Sequence, residues 1–381
     1  MKITGYELFF VEPRWLFLRV DTDEGISGWG EPVVEGRAHT TARAVEEMFD
    51  HLVGQDPARI EEHWQMLAKG AFYRGGPVLS SALAGIDQAL WDIAGKTLGV
   101  PVHQLLGGHV RDRVRIYGWV HGETPAEIGA SAAAQVAKGL TAVKLNPCGL
   151  MEPLDTPAAI HRVVEKVAAV REAIGPERDV ALDFHGQLSG AMSRRILPLL
   201  EPLLPMFVEE PLLPEFTQEL GAVVRSTSIP IATGERLYSR WDFRSALADG
   251  IAVAQPDLSH AGGISETRRI AAMAETHDAL LAPHCPLGPI ALASCLQIDF
   301  AVPNFLIQEQ ALGIGYGDAS GLLGYLADPA PFTARDGHLD RPTAPGLGIT
   351  IDEDAVRAAA ERGHRWRTPT WRRTDGSLAP W

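Results

Sequence analysis

The run Val180-Ala181-Leu182-Asp183-Phe184-His185 opens a stretch that closes at Phe305-Leu306-Ile307-Gln308-Glu309, and its reading decides the fold. Asp183, Glu209, Glu235, Asp257, His284 and Glu309 each end a short apolar run, at intervals of 26, 26, 22, 27 and 25 positions. Such an interval holds one strand, one helix and two loops. Units of that size, repeated, close into a parallel barrel whose active site lies where the strands pass into the following loops. Charges at strand ends therefore converge on one mouth. Two of them would be chance, since acidic residues are common on loops; six in register point to a site.

The 381 residues exceed one ordinary core, and a barrel of about 250 residues plus a smaller domain is the natural division. Hydrophobic residues make up 46% and charged residues 22%, with a mean hydropathy of −0.01, the balance of a soluble globular protein. No apolar run approaches the roughly 20 residues that span a bilayer, and the first residues lack a basic region ahead of an apolar core. A cytoplasmic protein with no membrane partner is expected. Cys148, Cys285 and Cys295 are few and unpatterned, which argues against a disulfide framework or a thiolate metal site. The formal charge of −14 weighs against nucleic acid as a partner, and a bound cation would neutralise part of it.

Residues 1–112 read as an α+β domain, 113–325 as the barrel, and 326–381 as a segment that packs back on the first domain. Strands are expected at 2–10, 15–20 and 26–30, with a turn at Asp23-Glu24-Gly25. From Ala38 to about Leu98 the pattern is helical, and Leu79, Leu83, Ile86, Leu90 and Ile93 form a stripe. Asp87 and Asp92 in that helix read as hydrogen-bonded or interfacial carboxylates rather than ligands. Barrel strands are expected at 114–117, 142–145, 180–184, 206–208, 230–232, 252–255, 280–282 and 305–308, with helices at 126–138, 157–174, 263–277 and 290–300 between them. In the tail, a strand at 347–351 and a helix at 353–362 are expected, and Trp366, Trp371 and Trp381 read as packing or interface residues.

Asp183, Glu209 and Glu235 end three consecutive strands and so face one another. Three such carboxylates repel unless a cation compensates, and an all-oxygen set favours Mg²⁺, with Mn²⁺ possible, over Zn²⁺. The competing reading is local pairing with Lys or Arg, which Arg236 keeps open for Glu235. Glu210 points away from Glu209 by strand alternation. His185, two residues past Asp183, projects to the same face if the strand continues. His284 is the candidate general base and Asp257 the carboxylate that orients it; His260, three positions past Asp257, ranks below it. The remaining histidines of the thirteen read as polar surface groups. A carboxylate substrate on the ion acquires an acidic α-carbon. A second base opposite would give racemisation; an acid beside a β-hydroxyl, such as His185, would give dehydration.

These residues, with Gly28-Trp29-Gly30-Glu31-Pro32, Gln255-Pro256-Asp257-Leu258-Ser259-His260 and Ala282-Pro283-His284-Cys285-Pro286, resemble the mandelate racemase subgroup of the enolase superfamily over essentially the whole chain. The resemblance implies an α/β fold: a modified (β/α)7β TIM-type barrel with an amino-terminal α+β capping domain completed by the carboxy-terminal tail. It implies Asp183, Glu209 and Glu235 as Mg²⁺ ligands, His185 as proton donor to a leaving 3-hydroxyl and His284 as acceptor of the C2 proton. It implies Asp257 as the residue raising the basicity of His284, and Glu309 as a transition-state stabiliser. The substrate implied is a small sugar acid, an aldonate such as D-galactonate, with gluconate or a pentonate as alternatives, and the assembly a homo-oligomer. Racemases of the subgroup place Lys-x-Lys at the end of the second barrel strand, whereas this chain has Lys144-Leu145-Asn146. A two-base route is thus poorly supplied; Asn146 and Lys144 are expected to bind substrate, Lys144 also neutralising the metal site. A racemase or epimerase, and a non-catalytic barrel, are the remaining alternatives.

Overall fold

Strands Ile3–Val11, Trp15–Thr22 and Ser27–Gly30 form an antiparallel sheet that opens the chain, in a computed structural model describing residues 1–311 and 320–380. Helices Ala38–Phe49, Ile60–Lys69 and Gly76–Leu98 cover one face of it. Leu83, Ile86, Leu90 and Ile93 of the expected stripe are buried against Leu18, Val20, Val45 and Phe49. The long helix comes unusually near the sheet, because glycines lie on both sides: Gly28 and Gly30 face Ala89 and Gly85. Asp87 and Asp92 are interfacial, as read. Asp92 accepts from the backbone N–H of Trp29 at 3.0 Å and of Leu347 at 2.9 Å, and Asp87 from the N–H of Ser265 at 3.0 Å and its hydroxyl at 2.5 Å.

The parallel sheet runs Gly118–Trp119, Ala142–Leu145, Asp179–Asp183, Phe207–Glu209, Ile231–Thr233, Val253–Ala254 and Leu280–Leu281, each strand beside the next. Phe305 bridges to Leu281 and Gln308 to Ile116, so residues 305–308 supply the eighth position and close the barrel. Inside, Tyr117, Ala142, Ala181, Phe207, Ala232, Val253, Ala282 and Ile307 form one cluster with a residue from each strand. This layer is a solid apolar floor, large and small side chains together filling the taper. Helices Pro125–Ala137, Pro157–Ile174, Gly263–Glu275 and Pro289–Ala301 pack outside, close to the expected spans.

Two expectations need correction. The first barrel strand was expected at 114–117, but Arg113–Arg115 pairs antiparallel with His338–Asp340 of the tail. Barrel pairing begins only where the Arg115 carbonyl accepts from the Gln308 N–H at 2.9 Å, the strand before it being paired with the tail. The tail strand expected at 347–351 is reduced to a single bridge between Leu326 and Ile351. The tail helix Glu353–Arg362 is where the sequence puts it. It lies on the first strand, with Arg357 on Glu7 at 2.7 Å and Glu353 on Arg19 at 2.6 Å. The Arg14 guanidinium lies over the ring of Trp366 at 5.4 Å; Trp381 lies outside the described residues.

Gly85 tests the close approach. Inside an exposed helix, Gly→Ala stabilises by about 1 kcal/mol. Here the added Cβ would sit 2.5 Å from Pro32 Cβ and 2.6 Å from its nitrogen. Gly85→Ala is therefore expected to destabilise by about 1–3 kcal/mol, the cost of overpacking, read as an earlier urea midpoint.

Candidate active site

Side chains on one strand face the same side every second residue. Two positions beyond the apolar floor, the barrel interior therefore carries Trp119, Lys144, Asp183, Glu209, Gly234, Gln255, His284 and Glu309. The change from apolar to polar happens in one step on every strand except the one that runs into Gly234. Glu235 follows Gly234, whose φ of +153° turns the chain at a point where a Cβ would collide with Gln255 and Phe243.

Asp183, Glu209 and Glu235 each present an oxygen within 4.8 Å of the others. The Lys144 ammonium, fully buried, reaches Asp183 at 3.1 Å, Glu209 at 2.6 Å and Glu309 at 3.3 Å. Burial pushes all these carboxylates up, and the outcome differs with the cations nearby. His185 and Lys144 hold Asp183 far below the usual range, whereas Glu209, repelled by Asp183, stays well above it. Glu235 is also raised, while Lys144 and His284 bring Glu309 below its ordinary value. Burial would lower Lys144, but Asp183, Glu209 and Glu309 hold its ammonium far above the ordinary value. One ammonium does not neutralise this set. Glu235 Oε2 is buried with no hydrogen-bond partner among the described residues. An orphaned carboxylate oxygen beside two others, all hard donors, fits a divalent cation such as Mg²⁺ or Mn²⁺.

His284 Nδ1 lies 2.8 Å from Asp257 Oδ2, an atom that can only accept, so Nδ1 carries the proton. In the neutral ring the free electron pair is then on Nε2, which stands 3.5 Å from Glu235 Oε2 and 3.9 Å from Glu309 Oε2. Burial pushes the His284 imidazole down, but Glu235 and Glu309 pull it well above its ordinary value. His185 has the opposite tautomer. Asn146 Oδ1 accepts from the backbone N–H groups of Cys148 at 2.9 Å and Gly149 at 3.0 Å. Its amide nitrogen therefore faces His185 Nδ1, at 2.9 Å, and donates to it. In the neutral ring the proton is then on Nε2, 3.2 Å from Asp183 Oδ2. The two imidazoles turn their Nε2 atoms to opposite edges of the carboxylate cluster, His284 toward Glu235 and His185 toward Asp183.

His185 does not get there by alternation. The strand ends at Asp183, and His185 takes a left-handed φ of +51° while its N–H donates to Asp183 Oδ1 at 2.8 Å. Glu210, at φ +46°, turns outward and is held by Thr233 and Arg236. Arg236 thus pairs with Glu210, leaving Glu235 without the local partner that the competing reading supplied. Asn146, expected on substrate, is engaged with His185 and its own turn; a substrate contact would be an additional task. Gln255 and Trp119 were missed. Gln255 donates to Glu209 at 2.7 Å, and Trp119 donates to Glu309 at 3.0 Å and lies against the His185 ring at a centroid distance of 6.0 Å. Their signal was present: each is a polar-edged residue at the end of an apolar run, on the same two-residue register as the acids. The backbone N–H of Cys285, 2.9 Å from Glu309 Oε2, carried no signal. His63 and His103, read as surface groups, are buried, and so is His260, the rival ranked below His284.

The chain belongs to the enolase superfamily, in the mandelate racemase and muconate lactonizing enzyme family. Residues 11–107 match the mandelate racemase/muconate lactonizing enzyme amino-terminal domain and residues 127–355 the enolase carboxy-terminal domain-like family. D-galactonate dehydratases of Variovorax paradoxus and Ralstonia nicotianae are each 51% identical to it over 382 aligned positions, covering all of both chains. Among solved structures, an enolase from Agrobacterium radiobacter bound to sodium and L-malate superposes with a TM-score of 0.91 at 32% identity, over 100% of each chain. A mandelate racemase/muconate lactonizing enzyme from Jannaschia gives 0.89 at 32% identity, over 97% of this chain and 100% of that one.

Glu235→Gln keeps the shape and removes the charge next to the orphaned oxygen. Its affinity for Mn²⁺, followed by electron paramagnetic resonance, is expected to fall about tenfold or more, with Gln255→Leu showing a smaller loss through Glu209.

Proposed function

We propose that this protein is a Mg²⁺-dependent sugar-acid dehydratase that converts D-galactonate to 2-dehydro-3-deoxy-D-galactonate and water. The observation that carries the reading is the pair of imidazoles, His284 held through Nδ1 by Asp257 and His185 turned through Nε2 to Asp183, flanking three clustered carboxylates. The full-length similarity to D-galactonate dehydratases supports the choice of acid. Mg²⁺ held by Asp183, Glu209 and Glu235 would supply the positive charge that makes C2–H of a bound carboxylate acidic.

His284 Nε2 takes the C2 proton, and Asp257 steadies the imidazolium that results. The electron pair left at C2 expels the 3-hydroxyl, which leaves as water with the Nε2 proton of His185. The ring acts as the imidazolium, because burial pushes it down but Asp183 outweighs this and holds it above its ordinary value, and a neutral imidazole remains. The enol then tautomerises to the 2-keto acid. Lys144 and Asn146 are the groups expected to meet substrate, and Glu309, fixed by Trp119, Lys144 and the Cys285 N–H, lies 3.9 Å from His284 Nε2. Racemisation is less well served. It needs a second base, and the position where racemases carry a lysine holds Asn146, already donating to His185. A cytoplasmic homo-oligomer belongs to the same reading.

The test is a panel of aldonic acids assayed for 2-keto-3-deoxy product. D-galactonate is expected to be the best substrate, and absence of keto acid from every aldonate would end the proposal. In heavy water the histidines should separate. His185→Asn is expected to keep exchange of the C2 proton while dehydration falls by about 10²–10⁴-fold, and His284→Asn to lose both, the usual range for removing an acid or base. Deuterium at C2 of unconverted acid in the wild type, with no product, would favour an epimerase.

A further inference from the structure

Asp257 stands on a barrel strand end, but the loop that follows it is held by the amino-terminal domain. Trp64 Nε1 donates to the carbonyl of Gly262 at 2.8 Å, and Gln88 donates to Ser259 Oγ at 3.1 Å. Between these contacts stands His260. Ser81 Oγ meets its Nδ1 at 3.1 Å. Its Nε2 lies between two carboxylates, 3.5 Å from Glu35 Oε2 and 3.6 Å from Asp257 Oδ2. Glu35 is paired in turn with Arg14 at 3.3 Å, and Arg14 donates to the carbonyl of Pro286, two residues past His284. Burial pushes the His260 imidazole down, but Asp257 and Glu35 outweigh it and hold it above its ordinary value.

Asp257 Oδ1 is fixed by the N–H of Ser259 at 2.7 Å. Its Oδ2 faces two imidazoles: His284 at 2.8 Å and His260 at 3.6 Å. The direction in which Oδ2 points decides how the His284 ring is turned. We infer that His260 is a positioning residue for the Asp257–His284 pair, through which Ser81 and Glu35 of the amino-terminal domain set the orientation of the base. The inference rests on His284 being the base of the proposed reaction. Its consequence is that the amino-terminal domain contributes to the chemical step by how it is docked.

His260→Gln retains an amide N–H near the Nε2 position, and His260→Leu removes it at similar bulk. The first readout needs no substrate: the downfield proton resonance of His284 Nδ1–H, assigned by its loss in His284→Asn. It is expected to shift or broaden in His260→Leu and to return toward the wild-type position in His260→Gln. The second is kinetics on D-galactonate, where His260→Leu is expected to lower kcat about tenfold with KM changed less than about threefold, and His260→Gln to recover most of the loss. If the wild type does not turn over an aldonate, the functional reading fails while the resonance still decides this one. A folded His260→Leu with unchanged resonance and kcat would overturn the inference, as would losses that His260→Gln does not restore, since packing alone would explain them. Should His260→Leu melt below assay temperature, Ser81→Ala, which releases Nδ1 and keeps the imidazole, is judged by the same two readouts.

Discussion

Negative charge confined at one end of a barrel is the constraint on which the structure depends. Asp183, Glu209, Glu235 and Glu309 lie together above an apolar floor, and neighbours this close cannot all stay ionised without compensation. Lys144 meets part of the need by touching three of the four. The rest falls to hydrogen bonds from Gln255, Trp119 and the Cys285 N–H, and to whatever cation the three clustered oxygens take up. The apolar floor makes these interactions strong, because it leaves protein dipoles rather than bulk water to answer the charge.

The amino-terminal domain is tied to the barrel by groups that would be costly to bury unpaired. Glu31, fully buried, accepts from the N–H of Gly288 at 2.7 Å and of Ala291 at 2.9 Å, capping the helix that follows the His284 loop. Burial pushes Glu31 up to about 8, those backbone donors pulling the other way. Asp87 is likewise pushed up by burial, to about 7, against the donors of Ser265. Gln88, next to Asp87 on the long helix, accepts from the Glu31 N–H and donates to Ser259. The long helix of the small domain thus holds the loop after the strand that carries Asp257, and Glu31, tied to that helix through Gln88, holds the loop after the strand that carries His284. Any rigid shift of that domain reaches both.

Much of this was legible along the chain. Alternation put Trp119, Lys144, Asp183, Glu209, Gln255, His284 and Glu309 on one interior face, and the interval of about 25 residues put them on successive strands. The carboxylates of Asp87 and Asp92 were readable as interfacial because nothing nearby in sequence could make them a ligand set. Alternation misled at His185, where the strand has ended and a left-handed residue delivers the ring. It also gave no warning that residues 113–115 would pair with the tail.

What the sequence determined by itself is which side chains stand at the barrel mouth, because a strand repeats every two residues and a strand–helix unit every twenty-five or so, and both periods survive in the order of the residues. Which of those side chains meet was decided only by the tertiary structure. Arg236 goes to Glu210 and not Glu235, Asn146 turns to His185, and His260 bridges Asp257 to Glu35 from another domain. Each choice is a distance of a few ångströms between residues 26 to 225 positions apart or within one irregular loop, and no local pattern records it.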